Sequence, residues 1–147
     1  MAPVNINAVI LLVIEDSDED FDTVAEAVAL SEVTVEVRRA TTGEAGLTML
    51  RELAPDRPTV VLMDLNTAGT DGRTALADVK SDLSLKEIPV VVLSTSSSPK
   101  DMGFCYAAGA NAYHVKPVRY PDHRRLVIEI VRYWIGQVVL PAGRINS

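Results

Sequence analysis

Val9-Ile10-Leu11-Leu12-Val13-Ile14 runs without a polar break into Glu15-Asp16. Three further runs end in the same way. Val60-Val61-Leu62-Met63 stops at Asp64, Pro89-Val90-Val91-Val92-Leu93 at Ser94-Thr95, and Tyr113-His114-Val115 at Lys116-Pro117. Short continuous apolar runs bounded by turn residues suit strands buried on both faces, the condition of a parallel sheet. Ligands of open parallel sheets sit beyond the carboxyl ends of the strands. Carboxylates, a hydroxyl and an ammonium that lie far apart in sequence should therefore meet at one rim.

Between these runs the pattern alternates strand and helix. Strands are expected at about 9–14, 34–39, 59–65, 90–94 and 112–115, and helices at about 18–30, 73–81, 100–108 and 122–138. One more helix follows the second strand, capped by Thr41 or Thr42, with Glu44 near its start and Pro55 after its end. Gly109 is placed to terminate the fourth helix. Five βα units predict an α/β fold, a doubly wound five-stranded parallel sheet with helices on both faces. The default order for such a sheet is the flavodoxin-like 2-1-3-4-5, whose crevice lies between strands 1 and 3. Those strands end in Glu15-Asp16 and Asp64, so topology and charge placement agree.

The 147 residues read as one domain, with a core over about 8–139 and short N- and C-terminal tails. A net charge of −6 argues against nonspecific attraction to nucleic acid or to an anionic membrane. The lone Cys105 cannot form an intramolecular disulfide, which points to a reducing cytoplasm. No Lys or Arg precedes the first apolar run, and Glu15, Asp16, Asp18, Glu19 and Asp20 follow it, so a signal peptide is not expected. No run approaches the roughly 20 apolar residues that span a bilayer.

At the expected rim, Glu15, Asp16 and Asp64 would crowd together. Two like charges about 4 Å apart repel by roughly 4 kcal/mol at an effective dielectric near 20. Such a cluster calls for a raised pKa or a divalent cation, and an open all-oxygen site suits Mg²⁺. Lys116 can hold a phosphoryl oxygen and Ser94 can hydrogen-bond another. Asp64 between metal and ammonium suits a carboxylate nucleophile that forms an acyl phosphate.

Taken together, Glu15-Asp16, Asp64-Leu65-Asn66, Asp71-Gly72, Ser94, Ala108-Gly109-Ala110, Tyr113 and Lys116-Pro117 resemble the receiver domain of two-component response regulators, a chemotaxis-regulator-like domain. The resemblance spans about residues 9–139. It implies that Asp64 is the phosphoacceptor, and that Asp16 and the Asn66 carbonyl bind Mg²⁺ together with Asp64. Glu15 would act on the metal mainly through water. Lys116 would contact the phosphoryl group, its bond to Pro117 would be cis, and Ser94 with Tyr113 would form the switch pair. The donor would be a sensor histidine kinase. The domain would stand alone without an output domain, catalysing only its own phosphorylation and dephosphorylation. Two positions depart from the family's habit: Ala68 stands where proline is common, which loosens the loop, and Ser94 where threonine is commoner. Glu15-Asp16 and Tyr133-Trp134 with Val139-Leu140-Pro141 resemble single-domain receivers that serve bacterial phytochrome-type kinases.

The same residues carry blander readings. Asp71-Gly72 is a turn signal, His114 a strand surface residue and His123 a first-turn residue of the last helix. Cys105 packs its helix on the sheet. In the last helix Arg125, Glu129, Arg132 and Gly136 form one narrow polar stripe. The remaining apolar arc exceeds what one sheet needs, which predicts a homodimer through Ile130, Tyr133, Trp134 and Val138, unless the tail covers them. A phosphohydrolase of the haloacid-dehalogenase type is the enzyme alternative. It generally needs a second Asp two residues after the nucleophile, and Asn66 cannot shuttle that proton. An intermediate phosphorelay carrier is a further alternative. The acidic loop 15–20 would repel the phosphate of a flavin cofactor.

Overall fold

The computed structural model describes residues 8–53, 57–67 and 72–141. Five strands and five helices alternate: β1 Ile10–Ile14, α1 Asp18–Ser31, β2 Glu36–Ala40, α2 Gly43–Glu52, β3 Thr59–Met63, α3 Gly72–Ser81, β4 Val90–Ser94, α4 Pro99–Ala108, β5 Ala112–Val115 and α5 Tyr120–Trp134. All four strand pairings are parallel, and the order is β2-β1-β3-β4-β5. The expected doubly wound sheet is what forms.

Strand alternation explains why each apolar run is needed in full. Leu12, Ile14, Val61, Met63, Val90 and Val92 face Leu50 of α2, Leu76 and Val79 of α3 and Cys105 of α4. Leu11, Val13, Val60, Leu62, Val91 and Leu93 face Val24 and Ala27 of α1 and Val127, Ile130 and Val131 of α5. Successive side chains point to opposite faces, so a strand covered on both sides can carry no polar residue until its end. Burying each large side chain contributes roughly 1.5–3 kcal/mol.

Helix ends follow their cap chemistry. Ser17 Oγ accepts from the Asp20 amide and Thr42 Oγ1 from the Ala45 amide, which starts α1 and α2. Gly109 closes α4 at φ 111°, a left-handed conformation that favours glycine. Gly72 has a different reason. A Cβ there would lie 2.7 Å from Leu65 Cα and 2.9 Å from the Leu65 carbonyl oxygen. Glycine thus lets the start of α3 close on the segment after Asp64, and the Gly72 amide donates to the Leu65 carbonyl at 3.0 Å. Asp71 and Ala68, singled out in the sequence, lie outside the described residues.

Three expectations need correction. The second strand starts at Glu36, because its register is set by β1 (Ile10 beside Glu36) and Val33 and Val35 pack on the core before the strand begins. The last helix ends at Trp134 rather than near Val138. The chain leaves the helix around Gly136, where a Cβ would meet the Arg132 carbonyl at 2.6 Å, and glycine is a poor helix former. Finally, no peptide bond among the described residues is cis, so the Lys116–Pro117 bond is trans. Trans is the default even before proline, by about 0.5–1 kcal/mol. In this isomer the Lys116 amide already reaches the Ser94 carbonyl at 2.6 Å.

Candidate functional site

The register of the sheet builds the site. Ile14 lies beside both Ala40 and Met63, so the residues that follow, Glu15 and Asp64, emerge side by side. The Asp64 amide donates to the Ile14 carbonyl at 3.0 Å and the Glu15 amide to the Ala40 carbonyl at 2.9 Å. From the end of β5, Lys116 crosses to them. Its Nζ donates to Glu15 Oε1 at 3.0 Å, Asp20 Oδ2 at 2.8 Å and Asp64 Oδ2 at 3.1 Å. Lys116 and Glu15 side chains are each 6% exposed, Asp64 12% and Asp20 31%. The notch is therefore dry at its base and wet toward α1.

Charge in this notch is not fully relieved. Burial, the larger cause, and the Asp64 carboxylate push the Glu15 carboxyl up to about 7, against the pull of Lys116. For Lys116 burial acts downward, but the bond to Asp20 and the charges of Asp64 and Glu15 outweigh it and hold the ammonium above its ordinary range. Carboxylate oxygens of Glu15, Asp20 and Asp64 all lie within 4.8 Å of one another. An all-oxygen rim, still proton-hungry in the presence of one ammonium, fits a hard divalent cation.

Asp16 does not join this group. It is exposed, and Asp20 stands with Glu15 and Asp64 instead. The sequence signal for Asp20 was its helical phase. Residues 20, 23, 24, 27 and 31 share one face of α1, and Thr23, Val24, Ala27 and Ser31 are its buried residues. Asp18, Glu19 and Asp20 look alike as first-turn acids favoured by the helix dipole, and only phase separates Asp20 from the others. Arg39 braces this loop from β2, donating to the Glu15 carbonyl at 3.0 Å and pairing with Asp18 at 2.8 Å. Asn66 is exposed, and its amide donates to Asp64 Oδ1 at 3.0 Å.

Ser94 is fully buried at the end of β4, and its Oγ accepts from the Ser96 amide at 3.2 Å. Ser96 is a hub. Its carbonyl accepts from the Tyr113 hydroxyl at 2.8 Å, and its own hydroxyl donates to Asp101 at 2.6 Å, where Arg73 of α3 also pairs. The Tyr113 amide in turn donates to the Tyr106 hydroxyl of α4 at 3.1 Å. Ser94 and Tyr113 are thus tied through one backbone segment and both look onto α4.

Comparison with known proteins accords with this fold. Residues 11–128 match the family model described as response regulator receiver domain. The chain belongs to that family. Response regulator Rcp1 of Synechocystis sp. is 34% identical over 138 residues, covering 91% of this chain and 94% of Rcp1. The solved Mn²⁺-bound form of Rcp1 superposes with a TM-score of 0.82 at 33% identity, covering 90% of this chain and 98% of that one. The phosphorylated cyanobacterial phytochrome response regulator RcpA gives a TM-score of 0.83 at 35% identity, over 90% of this chain and 97% of RcpA.

Elsewhere in this receiver domain, sequence reasoning placed His123 correctly in the first turn of α5 and missed its burial. The residue is 5% exposed, its Nε2 has no hydrogen-bond partner, and burial holds its pKa down. His114 is half-buried, not a surface residue. Two arginines of α5 serve α1, Arg124 pairing with Glu26 at 2.8 Å and Arg132 donating to the Ser31 carbonyl at 3.3 Å, while Arg125 pairs with Asp122 of its own helix. Of the residues expected at a dimer interface, Ile130 is buried in its own core, Trp134 and Val138 are half-buried, and Tyr133 is 54% exposed. Leu140 of the tail also packs on that core, so part of the apolar arc is covered within the chain. What stays open is a groove of roughly 480 Å³ between α5 and β5, lined by His114, Leu126, Glu129, Tyr133 and Trp134 among others. Among the described residues no helix is long and apolar enough to cross a membrane.

Proposed function

We propose that this receiver domain accepts a phosphoryl group from a sensor histidine kinase onto Asp64, with Mg²⁺ as the cofactor, and signals by changing its surface. The observation that carries this reading is the meeting of Glu15, Asp20 and Asp64 on one ammonium. An Asp64 carboxylate oxygen attacks phosphorus, the N–P bond of the donor phosphohistidine breaks, and the imidazole, already protonated on its other nitrogen, leaves neutral with the N–P electron pair. Lys116 takes up charge that gathers on the phosphoryl oxygens, and a Mg²⁺ held in this notch would supply further neutralising charge there. The phosphoryl group then draws the Ser94 hydroxyl, which loosens the Ser96 segment, and Tyr113 repacks toward the sheet. The Asn66 carbonyl and Asp16 would hold the metal together with Asp64. A phytochrome-type kinase is the favoured donor, because RcpA is described as a phytochrome response regulator. Purified kinases loaded with labelled phosphate test this. Transfer should require Mg²⁺ and be at least about tenfold faster (a barrier difference of about 1.4 kcal/mol) from a phytochrome-type kinase than from unrelated kinases. Equal slow transfer from all of them contradicts the assignment of the partner.

The open groove beside Tyr133 supports a homodimer through α5, β5 and the tail, with Tyr133, Trp134 and Val138 at its centre and Ile130 beneath them. Sedimentation should show a dimer at micromolar concentration and a shift toward monomer for Tyr133→Asp. A single monomeric species for the unsubstituted protein rejects it.

A further inference from the structure

We infer that Asp20 is a positioning residue that holds the Lys116 ammonium to one side so that a divalent cation can enter between Glu15 and Asp64. The inference rests on the reading of this notch as a metal-assisted phosphoacceptor site. An ammonium has three N–H donors, and Lys116 places them on Glu15, Asp20 and Asp64. A cation of charge two that enters the notch must take oxygens now held by this ammonium. Glu15 and Asp64 stand on adjacent strand ends and are the drier pair, so the ammonium's bonds to them lie across the base of the notch where the cation has to sit. Asp20 differs from both. It comes from the first turn of α1, makes the shortest of the three bonds, and is 31% exposed. The Ser17 cap fixes its backbone, since the Asp20 amide donates to Ser17 Oγ at 3.2 Å.

Without Asp20 the ammonium has two carboxylates left, both in the place the metal needs, and it becomes a monovalent plug. With Asp20 it keeps a partner when Glu15 and Asp64 turn to the metal, and it stays within reach of a phosphoryl group on Asp64. Lys116 is nearly buried, so an ammonium displaced from all three carboxylates would be left desolvated and unpaired, a state that is strongly disfavoured.

A double-mutant cycle on Mg²⁺ affinity separates this role from direct ligation. Calorimetric titration with MgCl₂ is made on the unsubstituted protein, Asp20→Asn, Lys116→Gln and the double variant, each checked for native circular dichroism. Asp20→Asn alone should weaken Mg²⁺ binding about tenfold (about 1.4 kcal/mol). In the Lys116→Gln background the same change should alter affinity by no more than about twofold, because there is no plug to hold aside. A loss of equal or greater size in both backgrounds makes Asp20 a metal ligand and overturns the inference. So does the absence of any loss from Asp20→Asn alone. Failure of the unsubstituted protein to take up Mg²⁺ overturns instead the metal-site reading beneath it, so the two failures are distinct.

Discussion

Lys116→Gln is expected to destabilise the metal-free protein by about 3 kcal/mol, the lower end of what removing one partner of a buried ion pair costs. Three carboxylates converge on Lys116 Nζ at 2.8–3.1 Å, and glutamine leaves them without a counter-charge. The lower end applies because Asp20 is partly solvated and Glu15 can take up a proton. The sign of the pH dependence follows. The Lys116 pKa is raised above its ordinary 10.5, so its stabilisation is fully present below that value and fades only as pH climbs beyond it. The loss in Lys116→Gln should therefore be present throughout the neutral range. Saturating Mg²⁺ should shrink it to under about 1 kcal/mol, since the ion supplies the missing charge and binds only the folded chain. Urea unfolding with and without Mg²⁺ measures both quantities. Equal stability of the two proteins without metal would mean the notch is less crowded than its distances indicate.

Glu15 should make the metal-free protein lose stability as pH rises. Its carboxyl titrates near 7 in the folded chain against an ordinary 4.5, so between those values the folded state binds the proton more tightly than the unfolded one. Stability then falls with pH across that window, by up to about 3 kcal/mol at 1.36 kcal/mol per pKa unit. His114 and His123 act in the opposite direction: burial lowers both, so their contribution is present above the ordinary 6.5 and lost as pH falls below it. The Glu15 part is isolated by difference. Glu15→Gln should match the unsubstituted protein near pH 4.5 and exceed it increasingly up to about pH 7. Mg²⁺ should flatten the profile of the unsubstituted protein, because the ion displaces the proton. A constant difference at every pH would mean Glu15 is not held in its protonated form. The proposed acceptor site is thus a region of stored repulsion, which costs stability where the proposed function needs charge.

The sheet was legible because burial on both faces leaves little room for ambiguity. Ile10 to Ile14 can be nothing but apolar if α1 and α2 cover opposite sides, and Glu15 marks where the strand gives way to the polar rim. The order of strands followed from the fold's topology, and with it the meeting of Glu15, Asp64 and Lys116. Local detail was less legible. Asp20 was hidden among acids that a helix start favours for its own reasons. Ile130 was read as surplus apolar surface, yet it faces the sheet. The phase of a helix is fixed by tertiary packing, and residues beyond Trp134 no longer keep that phase. His123 carried no sequence signal, because a polar residue in a first turn is ordinarily exposed.

The most direct test locates the phosphoryl group itself. The protein is incubated with a small acyl-phosphate donor and Mg²⁺, and the modified peptide is identified by mass spectrometry. One phosphoryl group on Asp64 that is labile to base and to neutral hydroxylamine, absent when the metal is chelated and absent from Asp64→Asn, is the predicted result. Phosphate on another residue, or undiminished labelling of Asp64→Asn, would contradict the account.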